Sequence, residues 1–191
     1  MPARPRPQPR RPGDGAVGAC QRGSLTAFAD SSALVKLYAD EAGCEHIRGL
    51  VSVAVAQLAR VEAPAALWRK QRTGELSAND ARLLTADFEA DYFGTGLEPP
   101  RFAAVAAAGR VLDEAARPCV SPGLRVYDAV QLSSALAVRS ADESCTAFAA
   151  FDRSLRAAAA AEGFEVVPSD LPGYQEAEGS PYRQEGPPPQ L

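Results

Sequence analysis

The sequence predicts an α/β domain, a three-layer sandwich with a central parallel sheet flanked by helices, and three observations predict it. Short apolar runs alternate with stretches of helical periodicity over residues 25–168. Strands separated by helices need crossovers, which make the strands parallel and cover both faces of the sheet. Two of the runs echo each other: Thr26-Ala27-Phe28-Ala29 leads directly into Asp30, and Thr146-Ala147-Phe148-Ala149 leads, after Ala150 and Phe151, into Asp152. Each strand thereby delivers an aspartate at its carboxyl end, where a helix begins. Finally, 191 residues with a 46% hydrophobic share suffice for one ordinary core.

Taken in order, residues 25–29 read as a buried strand. Residues 32–40 follow as a helix with Leu34, Leu37 and Tyr38 on one face, an arrangement that directs Lys36 to solvent. Helical spacing continues over 41–50, with His46 on the surface, and 51–55 is a second strand. Residues 59–73 form a helix ending near Gly74, and Ser77 caps another that runs to about Tyr92. Phe102, Val105, Gly109, Leu112 and Ala116 recur at helical spacing and predict one further helix. A loop containing Pro118, Pro122 and Gly123 precedes a helix over 126–140. Residues 145–151 are a strand, 153–162 a helix, and 164–167 a last short strand.

The domain is expected to span 24–170. Residues 1–23 alternate proline with arginine and suit an extended, solvated tail; a basic arm that attracts RNA is the functional reading of the same residues. Residues 171–191, with Pro187, Pro188 and Pro189 among scattered acids, form a second disordered tail. No apolar run is long enough to span a membrane, and the amino-terminal segment lacks the apolar stretch of a signal peptide. Cys20, Cys44, Cys119 and Cys145 lie far apart with no C-x-x-C pair, which leaves zinc and redox motifs unsupported and points to a reducing compartment. The protein is expected to be cytoplasmic.

Ligands of open parallel sheets bind beyond the carboxyl ends of the strands. Asp30 and Asp152 sit at two such ends, Glu62 lies near the start of the helix after the second strand, and Asp128 near the start of the helix after the Pro122-Gly123 loop. If the strands are neighbours, these four acids converge. Clustered carboxylates repel one another and raise at least one pKa unless a cation is present. An oxygen-only set suits Mg2+ or Mn2+, and the natural chemistry is phosphodiester hydrolysis, with the metal activating water and offsetting charge on phosphorus. Each acid also has a structural reading: an aspartate between strand and helix is a good N-cap, and acids in a first turn favour the helix dipole. Ser31 either lines the site or caps its helix.

Other chemistries find little footing. His46 is the only histidine, and neither a Gly-x-Ser-x-Gly elbow nor a glycine-rich phosphate loop occurs. A phosphoaspartyl enzyme would want an aspartate where Ser32 stands. The net charge of −4 divides into +4 over residues 1–24, −3 over 169–191 and −5 between them. An acidic core is awkward for a phosphate binder unless metal offsets the site and placed arginines such as Arg69, Arg72 or Arg125 supply attraction.

Four segments carry a resemblance to a known family. The run from Phe28 through Asp30, Ser31 and Ser32 to Tyr38 resembles the opening of PIN-domain ribonucleases of the VapC toxin kind. Leu58-Ala59-Arg60-Val61-Glu62 resembles their central glutamate segment, Arg125-Val126-Tyr127-Asp128-Ala129-Val130-Gln131-Leu132 the third acidic motif, and Phe151-Asp152-Arg153-Ser154-Leu155 the fourth. The resemblance implies a PIN-like fold and a Mg2+-dependent endoribonuclease, the toxin of a toxin–antitoxin pair, held inactive by a cognate antitoxin protein and commonly a homodimer. It makes Asp30 and Asp128 the principal metal ligands, with Glu62 and Asp152 completing the cluster. Two departures stand out. Ala150 replaces a Thr or Ser common in relatives, and Pro64 follows the glutamate closely enough to disturb its aim, unless it falls in the first turn of its helix. The competing expectation is a degenerate PIN-like module that binds RNA or protein without cutting.

Overall fold

The computed structural model describes residues 26–116 and 124–169; both predicted tails and the Pro118–Gly123 loop lie outside them. Five strands form one parallel sheet: β1 (Thr26–Ala29), β2 (Ser52–Ala56), β3 (Phe102–Val105), β4 (Cys145–Ala149) and β5 (Glu165–Val167). Their spatial order is β3-β2-β1-β4-β5. The expected α/β sandwich with a central parallel sheet is therefore present. The central strand β1 pairs with β2 on one side and β4 on the other, and the strand order reverses between β1 and β4.

Alternation along the strands sorts the core into two layers. Ala29, Val53, Val55 and Ala149 face α1 (Ser31–Val35), α2 (Cys44–Arg48), α3 (Ala59–Arg72) and α4 (Ala78–Phe93), where Leu34, Ile47, Leu67 and Phe88 are fully buried. Phe28, Ala54, Ala56 and Phe148 face α6 (Val126–Ala141) and α7 (Arg153–Ala161), where they meet Leu132, Ala135, Leu155 and Ala159. Phe28 and Phe148 stack across the β1–β4 seam at 5.4 Å. A smaller cluster, Val111, Ala115, Ala129 and Val130, fixes α5 (Gly109–Ala115) against α6. Burial on both faces is why these strands read as apolar runs.

Four expectations need correction. Residues 102–116 are not one helix: Phe102–Val105 is the edge strand β3, in register with Val53–Ala56, and only Gly109–Ala115 is helical. Phe102 alone of the strand is fully core-facing, so the strand left no alternation to read, and the helical spacing of its apolar residues was a coincidence. The helix predicted over 32–40 stops at Val35. Lys36, Leu37 and Tyr38 then donate to carbonyls three residues back, the tighter 3-10 spacing.

That tightening overturns the placement of Lys36, which is not in solvent but 3% exposed. Its ammonium donates to Glu41 Oε2 at 2.6 Å and to the Ala42 carbonyl at 3.1 Å, and sits 4.3 Å over the Phe151 ring. Lys70 approaches the other Glu41 oxygen at 2.5 Å, so the one carboxylate is shared between two ammonium groups. The predicted helix over 41–50 likewise shrinks to α2, which begins after Gly43 in a left-handed conformation.

Candidate functional site

Asp30 ends β1 and caps α1. Its Oδ1 accepts from the Ala33 amide and the Ser32 hydroxyl, both at 2.8 Å, and its backbone N–H donates to the Ala149 carbonyl at 3.0 Å. Ser32 in turn accepts from the Phe151 amide at 3.2 Å, tying the end of β1 to the end of β4. The capping reading of Asp30 is thus correct as far as it goes. A cap, however, is normally solvated, whereas Asp30 is 5% exposed. Burial pushes its pKa up to about 7, against the pull of the Ala33 and Ser32 hydrogen bonds and with added repulsion from Asp128.

Asp128 lies in the first turn of α6. Its Oδ2 is buried with no hydrogen-bond partner. Burial raises its pKa, repulsion from Asp152 and Glu62 adds to the rise, and Arg125 opposes it. Asp128 is therefore the electrostatic hub: it feels Asp152 and Glu62, and Asp30 feels it. Asp152 caps α7, accepting from the Leu155 amide at 2.9 Å. The β1–β4 pairing places Asp30 and Asp152 after adjacent strand ends, at the point where the strand order reverses.

Glu62 reaches the same region from the start of α3, half-buried. Its Oε2 accepts from the Ser31 hydroxyl at 2.5 Å and from Gln131 Nε2 at 2.7 Å. Ser31 does not cap its helix, a place Asp30 takes; its hydroxyl bonds Glu62 instead. Pro64 is inside α3, beyond its first turn, so the condition that would have excused it is not met. Glu62 is instead aimed by the hydrogen bonds at its own tip. Ala150 is fully buried and its carbonyl accepts from Arg156 Nη1 at 2.9 Å.

Gln131 is the residue that sequence reasoning passed over. The available signal was an amide one turn beyond Asp128 on a helix face otherwise apolar or small.

Among the described residues, no three His, Cys, Asp or Glu side chains approach closely enough to hold one ion between them. The donor chemistry nevertheless fits a hard divalent cation. All four acids offer oxygen, Asp128 carries a buried oxygen without a partner, and Mg2+ keeps several waters and needs only one or two direct carboxylates. Asp128 and Asp30 would hold such an ion most directly, with Glu62 and Asp152 acting from the periphery. No helix among the described residues is long and apolar enough to cross a membrane.

No protein-family model and no curated protein matches the chain. Among solved structures, it is similar to VapC20 of Mycobacterium tuberculosis, a sarcin-ricin loop cleaving toxin, at 16% identity and a TM-score of 0.48, over 69% of this chain and 94% of that one.

Proposed function

We propose that the protein is a metal-dependent endoribonuclease of the PIN-domain type, hydrolysing RNA phosphodiester bonds at the acidic site. The observation that carries the reading is the buried, partnerless Oδ2 of Asp128, held among Asp30, Glu62 and Asp152 at the carboxyl edge of a parallel sheet. A buried carboxylate without a donor is costly. Stability alone gives no reason to place three further acids around it. A bound cation does.

When bound, Mg2+ or Mn2+ would activate water and offset the charge that develops on phosphorus and on the leaving oxygen. The chain's own residues supply the frame. Asp128 and Asp30 provide the negative field, Ser32 locks Asp30 to the β4 end, and Ser31 and Gln131 aim Glu62. Arg125 and Tyr127, exposed beside Asp128, offer a cation for a phosphate and a ring for an unstacked base. A toxin role, with a cognate antitoxin, comes from the sequence resemblance; an antitoxin arginine could satisfy these carboxylates in place of metal.

The test is to incubate the full chain and an Asp128→Asn variant with an RNA pool, in Mg2+ and in EDTA, and to map new ends. New ends with wild type in Mg2+ alone are expected. Equal cleavage by Asp128→Asn, or equal cleavage in EDTA, would place the chemistry elsewhere. RNA binding without cleavage in either Mg2+ or Mn2+ would favour the binding-only module.

A further inference from the structure

Gln131 is 3% exposed, on a helix whose neighbouring positions Ala129, Val130, Leu132 and Ala135 are apolar and buried. Its amide nitrogen donates to Glu62 Oε2 at 2.7 Å and to Ser31 Oγ at 3.1 Å, while the Ser31 hydroxyl donates to the same Glu62 oxygen. The three side chains close a triangle that joins α1, α3 and α6 across sequence separations of 31, 69 and 100 residues. The amide orientation is dictated by the carboxylate: turning Gln131 round would set its oxygen against Glu62 Oε2. That orientation leaves Gln131 Oε1 buried and without a partner, which costs stability. A residue kept only to fill space would carry no such cost, since methionine or leucine would pack there without one.

We infer that Gln131 is a positioning residue for the proposed metal site: with Ser31 it clamps Oε2 of Glu62 and thereby fixes Oε1 as the oxygen turned toward the cation. The inference rests on the metal-site reading above. It assigns Gln131 no contact with substrate. Groups that orient a metal-facing carboxylate in this way typically contribute about 10–100-fold to metal affinity.

The experiment follows thermal unfolding of the full chain as Mg2+ is titrated, for wild type, Glu62→Gln, Gln131→Met, Gln131→Ala and Ser31→Ala. Met retains the length and bulk of Gln131 without its donors; Ala removes both. Expected are a melting temperature for Gln131→Met without metal close to wild type, and an apparent Mg2+ affinity about tenfold weaker for both Gln131 variants. Ser31→Ala, which removes the other donor to the same oxygen, should weaken Mg2+ in the same direction and reads the clamp independently should a Gln131 variant not fold.

Gln131→Met and Ser31→Ala binding Mg2+ within twofold of wild type, while Glu62→Gln loses it, would overturn the clamp and leave the metal site standing. Unchanged Mg2+ affinity in Glu62→Gln would also overturn it. A wild type with no Mg2+ response would overturn the site reading, and this inference with it.

Discussion

Replacing Asp30 with Asn separates its two roles, because Asn caps a helix about as well as Asp. The amide oxygen keeps the Ala33 bond, and the amide nitrogen faces the Ser32 hydroxyl. What disappears is a carboxyl whose pKa burial has raised from 3.8 to about 7. Between those values the folded protein holds a proton that the unfolded chain has released, so wild-type stability falls as pH rises through this window. At about 1.4 kcal/mol per pH unit the full loss is about 4 kcal/mol, and relaxation around the carboxylate reduces it toward 2.

Urea unfolding in EDTA should therefore find the two proteins offset by a constant amount below pH 4. Asp30→Asn should then gain steadily to about pH 7 and hold its advantage above it. Comparing the variant with wild type cancels the titrating groups that do not interact with Asp30, Glu41 among them; Asp128, which repels Asp30, is the exception. Magnesium should narrow the gap at pH 8: at ten times its Kd it adds about 1.4 kcal/mol to wild type and little to the variant. A difference that stays flat within about 0.5 kcal/mol from pH 4 to 8 would refute the argument, since Asp30 would then be an ordinary solvated cap.

Two further outcomes follow from the packing around Phe151. Lys36→Met keeps the bulk over that ring but strips Glu41 of its 2.6 Å partner; with Lys70 still nearby, a loss of about 1–3 kcal/mol in chemical denaturation is expected, and none would mean the buried ion pair contributes nothing net. Gly43→Ala should cost at least about 1 kcal/mol, because the backbone there is left-handed (φ 84°) and a Cβ would lie 2.7 Å from Phe151 Cε1. Wild-type stability in that variant would show that the turn relaxes.

Much of the fold was legible because β1, β2 and β4 are buried on both faces and spell continuous apolar runs, while Ser77 announces α4 with a cap whose hydroxyl accepts from the Asp80 amide. The strand-end positions of Asp30 and Asp152 were legible for the same reason. What escaped was decided by tertiary partners. Ala103 and Ala104 favour helix over strand, and β3 exists because β2 offers an edge in register. Lys36 turns inward because three-residue spacing replaces the helical period. The Gln131–Glu62 bond spans 69 residues, beyond any local pattern.

The central position of β1 has a consequence for the nascent chain. Its first neighbour, β2, follows within about thirty residues, but its second, β4, is among the last elements to be made. Until β4 arrives, the Asp30 amide has no Ala149 carbonyl to bond, Ser32 has no Phe151 amide to accept from, and Gln131 and Asp152 come only with the late segments. A ribosome that has translated half of this protein has therefore made a half-sheet with one exposed inner edge and a single aspartate at its tip. The acidic cluster assembles in the same event that seals that edge, so the site comes into being only when the sheet is all but complete.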